Sequence, residues 1–135
     1  MAHHVDKVRD YLLDLGLVID KELPEEELFV VSDEESGIHS LVVDCEDPIL
    51  VLEQRIMPVP EADRERFFLR LLQMNRTLVH GAFVVDEEAA NVLFRDTLQL
   101  ENLDKNELEG TIRALELALV EHGDELLRFA RSRGA

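Results

Sequence analysis

The first regular pattern along the chain has the period of an amphipathic helix. Its apolar members lie three or four residues apart, at Val5, Val8, Leu12 and Leu15. Gly16 follows where the end of a helix favours a left-handed backbone. The pattern predicts a first helix that ends near Gly16. The acidic connection over residues 20–27 is expected to be a solvated loop.

Short apolar runs separated by turn residues predict strands in the next part of the chain. Three runs cover residues 28–32, 38–44 and 49–56, with short polar connections between them. Because parallel strands need crossovers of a dozen or more residues, these connections favour an antiparallel meander. Two further runs, at 82–86 and 91–98, predict a hairpin.

Two more helices are predicted around that hairpin. The one over residues 63–78 is apolar over about 160° of its circumference, against the roughly 100° stripe of a surface helix. The last helix begins at Asp104, because Asp104 and Glu107 have the spacing of a capping box. The order α-β-β-β-α-β-β-α predicts one α+β domain over residues 1–135, with helices packed on an antiparallel sheet.

The meander carries apolar side chains on both predicted faces. One face is predicted to hold Leu28, Val30, Leu41, Val43, Leu50, Leu52 and Ile56. The other is predicted to hold Phe29, Val31, Val42, Ile49 and Val51, beside Asp44, Glu53 and Arg55. A sheet with one solvated face alternates more cleanly than this. Either helices cover both faces, or the second face accepts a partner.

The second predicted helix is more apolar than a domain of this size is expected to bury. A small domain has little interior in which to surround such a helix, so we expect part of its apolar arc to lie at a subunit contact. A twofold homodimer is the commonest assembly of this kind. The candidate contact residues are Phe67, Phe68, Leu69, Leu71, Leu72, Met74 and Leu78.

The charge of the chain is strongly acidic and unevenly distributed. Thirty acidic and fourteen basic residues give a net charge of −16, which argues against a nucleic-acid partner. Residues 1–60 hold 15 of the acids but only 4 of the bases. Such a field would steer a cationic segment towards the protein, although solubility alone is the other explanation. The candidate steering residues are Glu25, Glu26, Glu27, Asp33, Glu34 and Glu35.

The sequence lacks the residues and spacings that catalytic, metal-binding and phosphate-binding sites require. No nucleophile–base pair, zinc-ligand spacing or phosphate-binding glycine motif is present, so no catalytic residue, cofactor or metal is predicted. No apolar run approaches the roughly 20 residues of a membrane span, and no signal peptide is apparent. With Cys45 as its single cysteine, the chain is expected in the reducing cytoplasm.

Four segments in the second half of the chain resemble YbjN-like proteins. They are Leu71-Leu72-Gln-Met-Asn75, Gly81-Ala-Phe83-Val-Val-Asp86, Leu93-Phe-Arg-Asp-Thr-Leu98, and Leu103-Asp104 with Glu107-Leu108. YbjN-like proteins are similar in turn to the type III secretion chaperones of the Tir-chaperone (CesT) class. The resemblance covers most of the chain and is strongest from about Phe67 to Leu119.

The resemblance implies a small acidic homodimer that is not an enzyme. In the secretion chaperones an unfolded effector segment wraps the surface, partly by strand addition, and the second helix contributes to the dimer. YbjN-like proteins are often described as sensory or regulatory factors, which is the alternative to a dedicated secretion client. A small-ligand-binding domain of another kind is a third alternative.

We expect the client to be a basic, partly apolar segment of another protein, bound in extended form. The expected binding surface is the second face of the meander together with the first helix. The candidate client-binding residues are Leu12, Phe29, Val31, Val42, Ile49 and Val51.

Overall fold

The structure is a computed structural model that describes residues 2–131, with side chains described from residue 4 onward. The helices are α1 (Ala2–Asp14), α2 (Arg64–Asn75) and α3 (Lys105–Arg131). The strands are β1 (Val18–Leu23), β2 (Leu28–Asp33), β3 (Ile38–Glu46), β4 (Ile49–Pro58), β5 (Ala82–Val85) and β6 (Asn91–Gln99). They form one sheet in the order β1-β2-β3-β4-β6-β5, and every neighbouring pair is antiparallel.

The predicted α+β fold with an antiparallel sheet is confirmed, but the predicted number of strands is wrong. Residues 18–23 form an additional edge strand where the sequence predicted an acidic loop from residue 20. Three of its six residues, Asp20, Lys21 and Glu22, are charged and consecutive, so it lacks the apolar alternation that identifies a strand. Hydrogen bonding to β2 overrides this weak local signal.

The starts and ends of the helices follow local chemistry. Glu107 donates its backbone N–H to Asp104 Oδ1 over 2.8 Å, and Asp104 donates its own to Glu107 Oε1 over 3.4 Å. This reciprocal capping box begins α3 as predicted. The helix then continues through Gly123 without a break. Helix α2 ends at Asn75, three residues before the predicted end.

All the fully buried strand side chains belong to one face of the sheet, which we call the covered face. On the four inner strands the fully buried members are Phe29, Val31, Ile38, Leu41, Val43, Leu50, Leu52, Val92 and Phe94. The buried residues of α1, α2 and α3 belong to the same hydrophobic core. The three helices therefore form a layer on this side of the sheet.

Strand β5 is fastened to helix α2 by a side chain that substitutes for a neighbouring strand. Asn75 Nδ2 donates to the carbonyl of Phe83 over 3.1 Å, and the Phe83 N–H donates to Asn75 Oδ1 over 2.8 Å. Because β5 is an edge strand, these two bonds satisfy backbone groups that its own ladder leaves unpaired. The free edge of β5 is thus closed at Phe83, and β1 forms the opposite edge of the sheet.

Candidate functional site

The second face of the sheet carries no helix in the part of the chain that the structure describes. We call it the open face. Its members alternate with the buried residues along the strands and are partly exposed: Leu28, Val30, Val42, Asp44, Ile49, Val51, Glu53, Leu93 and Arg95. Most of these side chains are apolar. An apolar sheet surface left uncovered by its own chain is a candidate binding site.

The strand register corrects the predicted composition of this face. Phe29 pairs with Val43 and Val31 pairs with Leu41, which places both predicted client-binding residues on the covered face. Both are 0% exposed, as is Leu12 on α1, so the sequence placed these three side chains wrongly. Leu28 and Val30, predicted on the opposite face from Val42, in fact lie beside it. The other predicted client-binding residues, Val42, Ile49 and Val51, do lie on the open face.

The reason for this correction is an irregularity in β3. Ser40 has a φ of 52°, and the register between β2 and β3 shifts close to it. An extra residue of this kind makes Ile38 and Leu41 share the covered face, although strict alternation would separate them. Because side chains alternate between the two faces, this shift of one residue also decides which β2 residues share a face with a given β3 residue.

Asp44 occupies the middle of the apolar part of the open face. It pairs across the sheet with Leu28 on one side and with Val51 on the other, and Val42 precedes it on the same face. Burial is the main cause that raises the pKa of Asp44 to about 6, and a side-chain hydrogen bond with Glu46 and the charges of Glu46, Glu26 and Glu53 add to it. Its Oδ1 atom is buried and has no hydrogen-bond partner among the described residues.

The six predicted steering residues lie in two turns at opposite ends of β2. Glu25, Glu26 and Glu27 connect β1 to β2, whereas Asp33 ends β2 and is followed by Glu34 and Glu35 in the connection to β3. The first turn is at the same end of the sheet as Asp44, because Leu28 pairs with Asp44. At that end of the sheet, the negative charge therefore comes from the first turn and also from two carboxylates of the open face, Asp44 and Glu46. The alternation of Asp44 and Glu46 along β3 is the sequence signal that points to them.

The seven predicted dimer-contact residues divide between the core and the surface. Phe67, Leu71 and Met74 are buried within the monomer, and Phe68 and Leu78 are partly buried against the core. Leu69 and Leu72 are 53% and 67% exposed, so the apolar surface of α2 is narrower than the predicted arc. Beside them, a groove of about 250 Å³ runs between α2 and β5.

A second apolar groove, of about 470 Å³, lies on the helical side of the molecule. It runs between the C-terminal half of α3 and the ends of β3 and β4. The residues that line it are Gly37, His39, Ile56, Met57, Leu119, Gly123, Leu126, Leu127 and Ala130. The sequence analysis did not identify this groove, because its walls come from three elements that are distant along the chain.

The described residues include one hydroxyl–imidazole contact, in which Thr77 Oγ1 lies 2.8 Å from Nε2 of the buried His122 and also donates to the Met74 carbonyl over 2.7 Å. Burial raises the pKa of the Cys45 thiol to about 11, which keeps it protonated at neutral pH. Among the side chains of residues 4–131, no group of three histidine, cysteine or acidic residues is arranged to hold a metal ion. None of the described helices is both long and apolar enough to cross a membrane.

Solved structures share this fold at low sequence identity. YbjN from E. coli, described as a putative transcription regulator, has a TM-score of 0.70 at 12% identity, covering 90% of this chain and 92% of that one. An uncharacterized protein from Methanothermobacter thermautotrophicus has a TM-score of 0.67 at 16% identity, covering 93% and 99%. A chain in the HopA1–SchA chaperone–effector complex has a TM-score of 0.56 at 16% identity, covering 81% and 84%.

The sequence itself places the chain in a family. Among curated proteins none matches this chain. The family model CesT_Tir_1, however, matches residues 1–132, which is nearly the whole chain. The resemblance predicted from the sequence is confirmed by this match and by the likeness to YbjN and to the chaperone complex. The chain belongs to the CesT_Tir_1 family.

Proposed function

We propose that this protein is a non-enzymatic, chaperone-like module of the cytoplasm that captures an extended segment of a client protein on its open face. The observation that carries the proposal is the apolar surface around Val42 and Val51, which no described helix covers. Membership of the CesT_Tir_1 family and the likeness to a protein solved as a chaperone–effector complex support the same role.

An extended segment suits this surface better than a folded partner does. The alternate side chains of a strand-like segment fit a pleated face, where neighbouring rows offer separate pockets. Strand β1 is an edge strand that provides unpaired backbone groups at one side of the face. At the other side, Asn75 already occupies the edge of β5 at Phe83. A client that adds a strand therefore adds it next to β1.

The acidic charge of the protein favours a basic client. The net charge is −16, and the carboxylates of Glu25, Glu26 and Glu46 are exposed close to the apolar surface. Such a field accelerates the encounter with a cationic segment. The same field makes direct contact with DNA unfavourable, so a regulatory role of the kind described for YbjN would also act through a protein partner.

The experiment that tests the proposal is site-specific photo-crosslinking in the cells that make the protein. A photoreactive amino acid at position 51 reports from the open face, and one at position 120 reports from the outer side of α3, where Val120 is 78% exposed. We expect adducts with a segment of another protein from position 51 and none from position 120. Adducts from position 120 alone would refute the proposed site.

We also propose that the protein is a homodimer whose contact includes α2 and β5. Leu69, Leu72 and Val85 leave 53%, 67% and 39% of their surfaces exposed along this side of the monomer. The groove between α2 and β5 lies among them and has apolar walls that include Phe68 and Phe83. A self-complementary apolar ridge and groove are what a twofold contact requires.

Replacing Leu69 by aspartate tests the dimer. Because Leu69 is half exposed, the change costs the monomer little, whereas a charge buried in a contact has no partner there. We expect the dimer dissociation constant, measured by sedimentation equilibrium, to rise about a hundredfold or more. Leu13→Asp is the matched control, since Leu13 on α1 is also 53% exposed. A wild-type chain that is monomeric at tens of micromolar would contradict the proposed dimer.

A further inference from the structure

The open face contains one charged side chain in a place where an apolar one would be expected. Asp44 has Leu28 and Val51 as its cross-strand neighbours and follows Val42 on the same face. A valine or threonine at this position would continue the surface without removing a charged group from water. The buried Oδ1 of Asp44 instead gives up water without gaining a hydrogen bond from any described residue.

No cationic side chain is among the groups that act on Asp44. The charged groups that act on it are Glu46 on its own strand, Glu26 in the turn after β1, and Glu53 on β4, and all of them are acidic. The adjacent row of the face contains two cations, each two strands away from Asp44: Lys21 on the edge strand β1, and Arg95 on β6, whose guanidinium is paired with Glu53. Asp44 is therefore a carboxyl group without a cationic partner, set in an apolar surface.

We propose that Asp44 is the specificity-determining residue of the open face, where it receives a lysine or arginine side chain of the bound segment. This inference rests on the proposed function. An incoming cation would pair with the Asp44 carboxylate and would relieve the repulsion among the neighbouring carboxylates. The client class that follows is a segment with apolar residues at alternate positions and one basic residue among them.

Two synthetic peptides test this inference without knowledge of the client. Both alternate valine and threonine over about ten residues, long enough to cross the sheet. One has a central arginine, and the other has citrulline, which keeps the shape and loses the charge. Binding is measured by fluorescence anisotropy at pH 7.5 with the full chain. We expect the wild type to prefer the arginine peptide about tenfold.

Asp44→Asn should abolish this preference while it retains affinity for the citrulline peptide. Asp124→Asn on the exposed surface of α3 is the matched control and should leave the preference unchanged. The preference of the wild type should also shrink as the pH falls from 7.5 to 5, because Asp44 becomes protonated near pH 6. In Asp44→Asn the ratio of the two affinities should stay constant over that range.

A second readout separates a recognition role from a structural one. A carboxylate whose folded-state pKa is raised destabilises the fold at pH 7.5, and this penalty diminishes as the pH falls through that pKa. Asp44→Asn should therefore raise the melting temperature at pH 7.5, by a margin that narrows towards pH 5. A lowered melting temperature would show that Asp44 supports the fold, and would overturn the inference.

The two possible failures of the peptide test are distinguishable. Equal binding of the arginine and citrulline peptides to the wild type would overturn the role of Asp44 and leave the open face as a client site. Failure of both peptides to bind the wild type would overturn the open-face site, and the inference about Asp44 with it.

Discussion

Replacing Gly81 by alanine is expected to lower the free energy of unfolding by about 3 kcal/mol. An added Cβ would lie 2.5 Å from Cζ of Phe94, which is 0% exposed in the core, and 3.1 Å from the carbonyl oxygen of Arg95. Gly81 also has a φ of 73°, a backbone conformation that favours glycine. The backbone strain and the steric overlap with Phe94 both lower the free energy of unfolding of the variant.

Gly123→Ala is the matched control for this prediction. A Cβ on Gly123 meets nothing within 4 Å, and the residue lies within α3, where alanine has the higher helix propensity. Gly123→Ala should therefore raise the free energy of unfolding by about 1 kcal/mol. Urea unfolding of the two variants gives both values. Equal stabilities would mean that Gly81 and Phe94 do not pack as the structure describes.

Replacing Val51 by aspartate is expected to have the largest effect on client binding. Val51 lies on the open face directly beside Asp44, so the variant places two carboxylates side by side in the apolar surface. We expect the captured client segment to dissociate about a hundred times faster, because most interface substitutions act on the dissociation rate. Surface plasmon resonance with the cross-linked segment, remade as a peptide, measures this rate.

The control for Val51→Asp is Val120→Asp. It makes the same chemical change on the outer side of α3, where Val120 is 78% exposed. Its net charge equals that of the Val51 variant, so electrostatic steering is matched between the two. An equal change in dissociation rate for both variants would show that charge, and not the open face, determines client retention.

The sequence predicted the layout of the fold because most elements carry a strong local signal. The capping box at Asp104 and Glu107 begins α3 as expected. Asn75 and Gly81, which carried the family resemblance, prove to be the residues that fasten β5 to α2 and allow it to approach Phe94. Strand β1 has no such signal, because its pairing with β2 comes from tertiary structure.

The candidate site was harder to predict because it depends on strand register. Four successive apolar residues, 28–31, begin β2, so alternation gives no indication of which pair faces the core. The irregularity at Ser40 decides the question, and serine has no marked preference for a positive φ. On β3 and β4 the acidic residues Asp44 and Glu53 indicate which face of the sheet is solvated. The residues predicted on the same face, Val42, Ile49 and Val51, do lie on the open face.

The most direct test of the central claim is to map where a segment binds. Titration of the ¹⁵N-labelled protein with the arginine peptide reports on each backbone amide of the sheet and of the helical layer. The open-face site predicts chemical-shift changes at Val30, Val42 and Val51, with little change at Val120 or in the apolar groove beside Gly123. Changes confined to that groove, or to α2 and β5, would contradict the claim that the open face captures the client.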